Sequence, residues 1–223
     1  MGANFLQNIE SMLFDFEGTL VDFQWKLAAA VESALQALEE TGMPRRTIES
    51  RKYSTLLKEA MGKAVDFGVD PDLVKEKIGE VYDRYDEDAL TRWALRPGAR
   101  EFLVSVRAKG VRTALVSNVG RKSLARALSK LGLEGLFEVA LSRNDVTNLK
   151  PSPDGINLAL AKMGVAGKDR SLFIGDSLDD VNAARNAGLR VIIITQGENL
   201  KEEILAVKPD HVIQGYEELL RAL

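Results

Sequence analysis

The sequence contains no cysteine. Disulfides, thiolate catalysis and thiolate metal sites are therefore excluded together, and the redox compartment is left unmarked. Long apolar runs are missing too: the longest lies near Val191–Ile194, far short of the roughly 20 residues that a bilayer-spanning helix needs. Met1–Glu10 has no cationic start followed by an apolar stretch, so a soluble, cytoplasmic protein with no membrane partner is expected. An excess of one charge is lacking as well. Acids and bases are interspersed and sum to −3, which leaves no basic face of the size that nucleic acid requires and favours a small-molecule partner. The sole histidine, His211, lies far along the chain from every motif below and reads as structural. The oligomeric state is not legible in the sequence.

Against these absences stands an ample core. With 223 residues, 45% of them apolar, the chain can form one sizeable domain or a core with an inserted lobe. Met12–Phe16 is a short apolar run stopped by Glu17-Gly18-Thr19, as in a buried strand that ends in a tight turn. From about Trp25 the period changes to that of helices. Leu27, Ala30, Val31, Ala34, Leu35 and Leu38 form one apolar stripe; Tyr53, Leu56, Leu57, Ala60, Met61 and Ala64 form a second. Val74, Ile78, Val81, Tyr82 and Tyr85 form a third, with Asp70 as N-cap and Pro71 at the first helical position. Residues 22–93 thus predict an all-helical lobe, inserted into a domain made of residues 1–21 and 94–223.

After Arg96-Pro97-Gly98 helices and strands alternate. Helices are predicted over Ala99–Lys109, Lys122–Leu131, Asp154–Met163 and Leu178–Ala187. Strands are predicted over Thr113–Val116, Glu138–Leu141, Leu172–Ile174, Arg190–Ile194 and, weakly, His211–Ile213. Such alternation implies right-handed crossovers and an α/β fold of three layers, a parallel sheet with helices on both faces. Ligands of such folds bind outside the carboxyl ends of the strands. Asp15, Ser117 and Asp176 each lie just past a predicted strand end, so one edge of the sheet would gather them.

The chemistry-bearing segments are Asp15-Phe16-Glu17-Gly18-Thr19, Ser117-Asn118, Lys150-Pro151-Ser152-Pro153 and Gly175-Asp176-Ser177-Leu178-Asp179-Asp180. Phosphoryl transfer through an aspartyl phosphate needs this inventory: a carboxylate to attack phosphorus, a cation for the equatorial oxygens, further carboxylates for a metal, and a hydroxyl to orient the transferred group. Read plainly, Asp176-Ser177 is also a helix N-cap. Gly18 permits a sharp turn, and Thr19 can hydrogen-bond within it.

All four segments, in this order, resemble the motifs of the haloacid dehalogenase superfamily, in the manner of its phosphoglycolate-phosphatase-like members. The resemblance implies a Rossmann-like core, a helical cap inserted after the first motif, and a Mg²⁺-dependent phosphatase acting on a small phosphorylated metabolite. It implies that Asp15 is the nucleophile, that Glu17 protonates the leaving oxygen and then activates water, and that Ser117 and Lys150 complete the catalytic set. Gly18, Thr19 and Asn118 would bind substrate. The metal would be held by Asp15, the backbone carbonyl of Glu17 and Asp176, with Asp180 in the outer shell or holding Lys150, and Asp179 as a weaker alternative. In the cap, Trp25, Lys26, Arg45, Arg46, Arg51 and Lys52 are candidate contacts for an anionic substrate.

One position departs from the family pattern: Glu17 stands where an aspartate is usual. The backbone carbonyl is unaffected, but the carboxyl is carried one methylene further. Two rival readings stay open at this point, a metal-independent 2-haloacid dehalogenase and a metal- and phosphate-binding protein whose turnover Glu17 impairs.

Overall fold

A computed structural model describes residues 5–223. Two compact units divide the chain. The first comprises residues up to Gln24 together with Trp93–Leu223; the second is Trp25–Arg92.

The first unit is built on a six-stranded, all-parallel sheet of β1 (Ser11–Phe14), β2 (Arg112–Val116), β3 (Val139–Leu141), β4 (Ser171–Gly175), β5 (Arg190–Ile194) and β6 (His211–Ile213). The spatial order is β3-β2-β1-β4-β5-β6. The chain therefore builds leftward from β1 through β2 and β3, then returns to the other side of β1 with β4. That reversal makes β1 and β4 a topological switch point, where the strand ends diverge and leave a crevice for ligand. Phe14 pairs in register with both Leu115 and Ile174, so the residues following β1, β2 and β4 emerge at one level.

Alternation along the buried strands sends neighbouring side chains to opposite faces. On one face Leu13, Ala114, Val116, Phe173, Val191 and Ile193 pack with α6 (Asp154–Met163), α7 (Leu178–Ala187) and Ile204 of α8 (Lys201–Ala206). On the other, Phe14 meets Phe102 of α4 (Ala99–Ala108) edge to face, and Phe102 packs on Tyr216 of α9 (Tyr216–Ala222). Helix α5 (Arg121–Lys130) connects β2 to β3.

The expected three-layer α/β core is observed, with differences at its margins. Strand β1 ends at Phe14 rather than Phe16, because the turn begins at once: the Phe16 carbonyl accepts from the N–H groups of Thr19, Leu20 and Val21. Helices α8 and α9 were not anticipated. At six and seven residues they are too short for a 3.6-residue period to repeat.

The second unit contains α1 (Leu27–Glu40), α2 (Tyr53–Ala64) and α3 (Pro71–Leu90). Asp70 caps α3, accepting from the Asp72 N–H at 2.9 Å. Among the described residues, no helix is long and apolar enough to cross a membrane. Trp25 is buried within this unit, tilted against Tyr53 and edge-on to Tyr82 and Tyr85, and its indole N–H donates to Asp86 at 3.0 Å. This corrects its candidacy as a substrate contact. Lys26 pairs with Asp88, and Arg45 donates to both Glu32 carboxylate oxygens. Arg51 donates to the carbonyls of Ile48, Glu49 and Ser50. These bases are engaged within the unit.

Candidate active site

Asp15 leaves β1 and Asp176 leaves β4, so the two strands flanking the switch point each deliver a buried carboxylate. Asp180, in the first turn of α7, is the third. Ligand oxygens of the three lie within 4.8 Å of one another. Into this cluster reaches Lys150, which precedes α6. Its ammonium donates to Asp15 Oδ1 and, at 2.8 Å, to Asp180 Oδ1. All four side chains are nearly inaccessible to solvent.

Asp180 is engaged at both oxygens. Oδ1 accepts from Lys150, while Oδ2 accepts from the N–H groups of Asp176 and Ser177 and from the Ser177 hydroxyl. Ser177 is the N-cap of α7, with its Oγ accepting from the Asp180 N–H. The helix cap expected at Asp176-Ser177 therefore belongs to Ser177 alone. Asp176 instead accepts from the Thr19 hydroxyl at 2.9 Å on Oδ1 and from the Glu198 N–H at 2.7 Å on Oδ2.

Two glycines admit that carboxylate. Gly18 has φ +80°, and a Cβ there would stand 2.3 Å from Asp176 Oδ2; a Cβ at Gly197 would stand 2.1 Å from the same atom. Both approaches are far inside van der Waals contact. Gly18 is thus fixed by its backbone conformation and by the acid beside it.

The side chains of Thr19 and Asn118, expected at the substrate, bond protein groups. The Thr19 side chain is fully buried and bonds the acids, Asp176 at 2.9 Å and Asp15 at 3.4 Å. The Asn118 side chain brackets the Lys150 backbone, accepting from its N–H at 3.1 Å and donating to its carbonyl at 3.3 Å. Thr19 meets a hydrogen-bond need of a buried carboxylate, which a buried charge requires, whereas Asn118 fixes the backbone that carries Lys150. Ser117 follows β2, where its Oγ accepts from the Val119 N–H. The Glu17 carboxylate turns toward the two segments that join the units: Oε1 accepts from the Gln24 N–H at 2.7 Å and the Trp93 indole N–H at 2.9 Å.

Sequence reasoning missed Arg96, Gly197, the Glu198 N–H and the pairing of Trp93 with Glu17. Arg96-Pro97-Gly98 was legible only as a boundary, and a backbone N–H carries no residue signature.

Three buried carboxylates face one ammonium, so negative charge is in excess when all are ionised. Burial pushes the Asp15 pKa up to about 6; Lys150 opposes that rise and Asp180 adds to it. Burial, then the charges of Asp180 and Asp15, hold Asp176 well above the usual carboxylate range. For Lys150 burial acts downward, but the charges of Asp15 and Asp180 and their hydrogen bonds outweigh it, so its pKa is raised. An all-oxygen, buried, negatively overcharged donor set suits a hard divalent cation such as Mg²⁺.

A stability test follows from the sign of the Asp15 shift. Its folded pKa lies above its unfolded value of about 3.8. The contribution is therefore fully present below the unfolded value and is lost as pH rises through about 6. Metal-free protein should gain about 1–3 kcal/mol between pH 7.5 and 5, or roughly 3–10 °C in Tm. Calorimetric scans in EDTA check this, and a Tm that falls over that window would refute it.

A six-stranded parallel sheet with an acid–lysine cluster at its switch point is the arrangement of an α/β enzyme. The comparisons with known proteins agree. A sequence model of the haloacid dehalogenase-like hydrolases matches residues 12–194. Phosphoglycolate phosphatases from Shigella boydii serotype 4 (strain Sb227) and Escherichia coli (strain K12) are each 34% identical over 242 aligned positions, covering 99% of this chain and 94% of theirs. The crystal structure of a predicted phosphoglycolate phosphatase from Haemophilus somnus 129PT is 25% identical, with a TM-score of 0.66 over 96% of this chain and 98% of that one. A hydrolase from Pseudomonas syringae shares the fold with a TM-score of 0.69 at 23% identity, over 95% of this chain and 96% of its own. The chain belongs to the haloacid dehalogenase-like hydrolases, and it stands among the phosphatases of that family.

Proposed function

We propose that this hydrolase cleaves a small phosphate monoester, with 2-phosphoglycolate as the first substrate to test, through an aspartyl phosphate on Asp15. The observation that carries the reading is the Lys150 ammonium, bonded to Asp15 and Asp180 beside Asp176 at the β1/β4 switch point. The relatives at 34% identity direct the choice of substrate.

Asp15, the backbone carbonyl of Glu17 and Asp176 would hold Mg²⁺, which when bound offsets the excess negative charge of the acids and of an arriving phosphate. Asp180 holds Lys150 and the turn into α7. One Asp15 carboxylate oxygen attacks phosphorus as the bond to the leaving oxygen breaks, and Glu17 gives that oxygen its proton. Lys150 and the Ser117 hydroxyl face the equatorial oxygens. Glu17, now ionised, takes a proton from water as that water attacks the aspartyl phosphate, releasing inorganic phosphate and restoring Asp15. Residues 22–93 act as the cap that selects the leaving group.

Phosphate release from 2-phosphoglycolate and a panel of phosphorylated metabolites, in Mg²⁺ and in EDTA, tests this reading. Mg²⁺-dependent turnover is expected. Halide release from a 2-haloacid in EDTA, without phosphatase activity, would refute it, as would Mg²⁺ and phosphate binding without turnover.

Glu17→Gln separates proton transfer from structure. The amide oxygen can still accept from Gln24 and Trp93, so the loop should hold while the acid and base are lost. On alkyl phosphates kcat should fall about 10²–10⁴-fold. Phosphorylation by p-nitrophenyl phosphate should suffer less, because p-nitrophenolate leaves without protonation. Equal activity to the parent on both substrates at every pH would remove the side chain from the mechanism.

A further inference from the structure

Arg96 lies outside every motif of the proposed chemistry, yet only 8% of it is exposed. Its guanidinium donates to two backbone carbonyls rather than to a carboxylate: Nη1 to Gly18 and Nη2 to Thr195, the latter at 2.6 Å. Its own N–H donates to the Leu20 carbonyl at 2.9 Å. Thr195, in turn, is tied to the end of β6 through its N–H on the Ile213 carbonyl at 2.9 Å.

The two carbonyls belong to the segments that enclose Asp176. The Gly18 backbone abuts one side of its carboxylate, and the adjacent Thr19 bonds Oδ1. Two residues beyond Thr195, Gly197 abuts the same carboxylate, and the Glu198 N–H bonds Oδ2. Nothing in the regular sheet joins these segments, since one follows β1 and the other follows β5, with β4 between. Arg96 does join them, through a planar fork with two donors at fixed spacing.

We propose that Arg96 is a positioning residue for Asp176. By holding the Gly18 and Thr195 carbonyls on one guanidinium, it sets the separation of the two backbone walls that aim the Asp176 carboxylate. The inference rests on the reading of Asp176 as a metal ligand. Partners that orient a ligand typically govern metal affinity about 10–100-fold. A lysine places one donor head where arginine places a fork, so it can replace one of the two bonds.

Calorimetric titration of the metal-free, full-length protein with Mg²⁺ tests the proposal. Arg96→Met should remain folded and raise the Mg²⁺ Kd about 10–100-fold, with Arg96→Lys between it and the parent. At saturating Mg²⁺ the KM for 2-phosphoglycolate should stay close to the parent's, a split that general loosening of the fold would not produce. A folded Arg96→Met that binds Mg²⁺ as tightly as the parent overturns the proposal. Should the methionine variant fail to fold, the lysine variant decides: weaker Mg²⁺ binding than the parent supports the proposal, and equal binding overturns it. A parent protein that binds no Mg²⁺ would overturn the phosphatase reading and this one with it. A parent that binds Mg²⁺ and turns over, matched by Arg96→Met, overturns this one alone.

Discussion

Asp15→Asn is expected to lower Mg²⁺-dependent phosphate release by at least about 10⁴-fold, the scale on which loss of a covalent nucleophile is felt. The carboxamide is nearly the same size and can still accept from Lys150, so the site should keep its shape. What it cannot do is attack phosphorus. The same change removes a buried carboxylate whose pKa is already pushed to about 6, so the metal-free variant should melt above the parent at pH 7.5. Its Tm should also lose the part of the pH dependence between pH 7.5 and 5 that Asp15 contributes. The two readouts move in opposite directions, activity down and stability up, which distinguishes loss of the nucleophile from misfolding. An Asp15→Asn protein with near-parent turnover would sink the mechanism, because no other carboxylate in the cluster is both bonded to Lys150 and placed at the end of β1.

Much of this site was legible in the sequence because its acids follow strand ends. Met12–Phe16 and Leu172–Ile174 read as buried strands, and acids at or just past the end of such a run gather at the sheet's carboxyl edge, although β1 itself stops at Phe14. The helices were legible where their apolar stripes ran for three turns, as in α1, α2 and α3, and where Asp70 and Pro71 marked a start. What stayed hidden was contact between segments far apart in the chain. Thr19 reads as a hydrogen-bonding member of its turn and, by resemblance, as a substrate contact; its hydroxyl turns inward to Asp176, where an unpartnered carboxylate would be costly. The Asn118 side chain turns to the Lys150 backbone, 32 residues along the chain, and fixes the segment that carries the ammonium. Glu17 illustrates the limit most clearly. Its length was read as a misfit, yet the added methylene, roughly 1.5 Å, lets Oε1 meet both Gln24 and Trp93. Trp93 lies in another part of the sequence and could not be paired with Glu17 by any local pattern.

Asp176→Asn should move stability and metal binding in opposite senses. In the metal-free protein the Asp176 carboxylate is disfavoured by burial and by the charges of Asp180 and Asp15, so its pKa is raised well above the usual range. By the same linkage as for Asp15, its ionised form subtracts stability at neutral pH. Asparagine keeps an acceptor for Thr19 or for the Glu198 N–H and brings no charge, so the metal-free variant should melt at or above the parent's temperature at pH 7.5. With Mg²⁺ the order should reverse. A ligand present at 100 times its Kd stabilises a protein by about 2.7 kcal/mol. A 100-fold loss of affinity at the same concentration leaves about 0.4 kcal/mol. The Mg²⁺-induced rise in Tm should therefore nearly vanish in Asp176→Asn at a concentration that shifts the parent by several degrees, and kcat should fall with it. Scanning calorimetry with and without Mg²⁺, beside initial rates, reads both effects on one preparation. If the variant kept the parent's Mg²⁺-induced shift, Asp176 would be an element of the loop between β4 and α7 and not a ligand, and the metal would have to be sought without it.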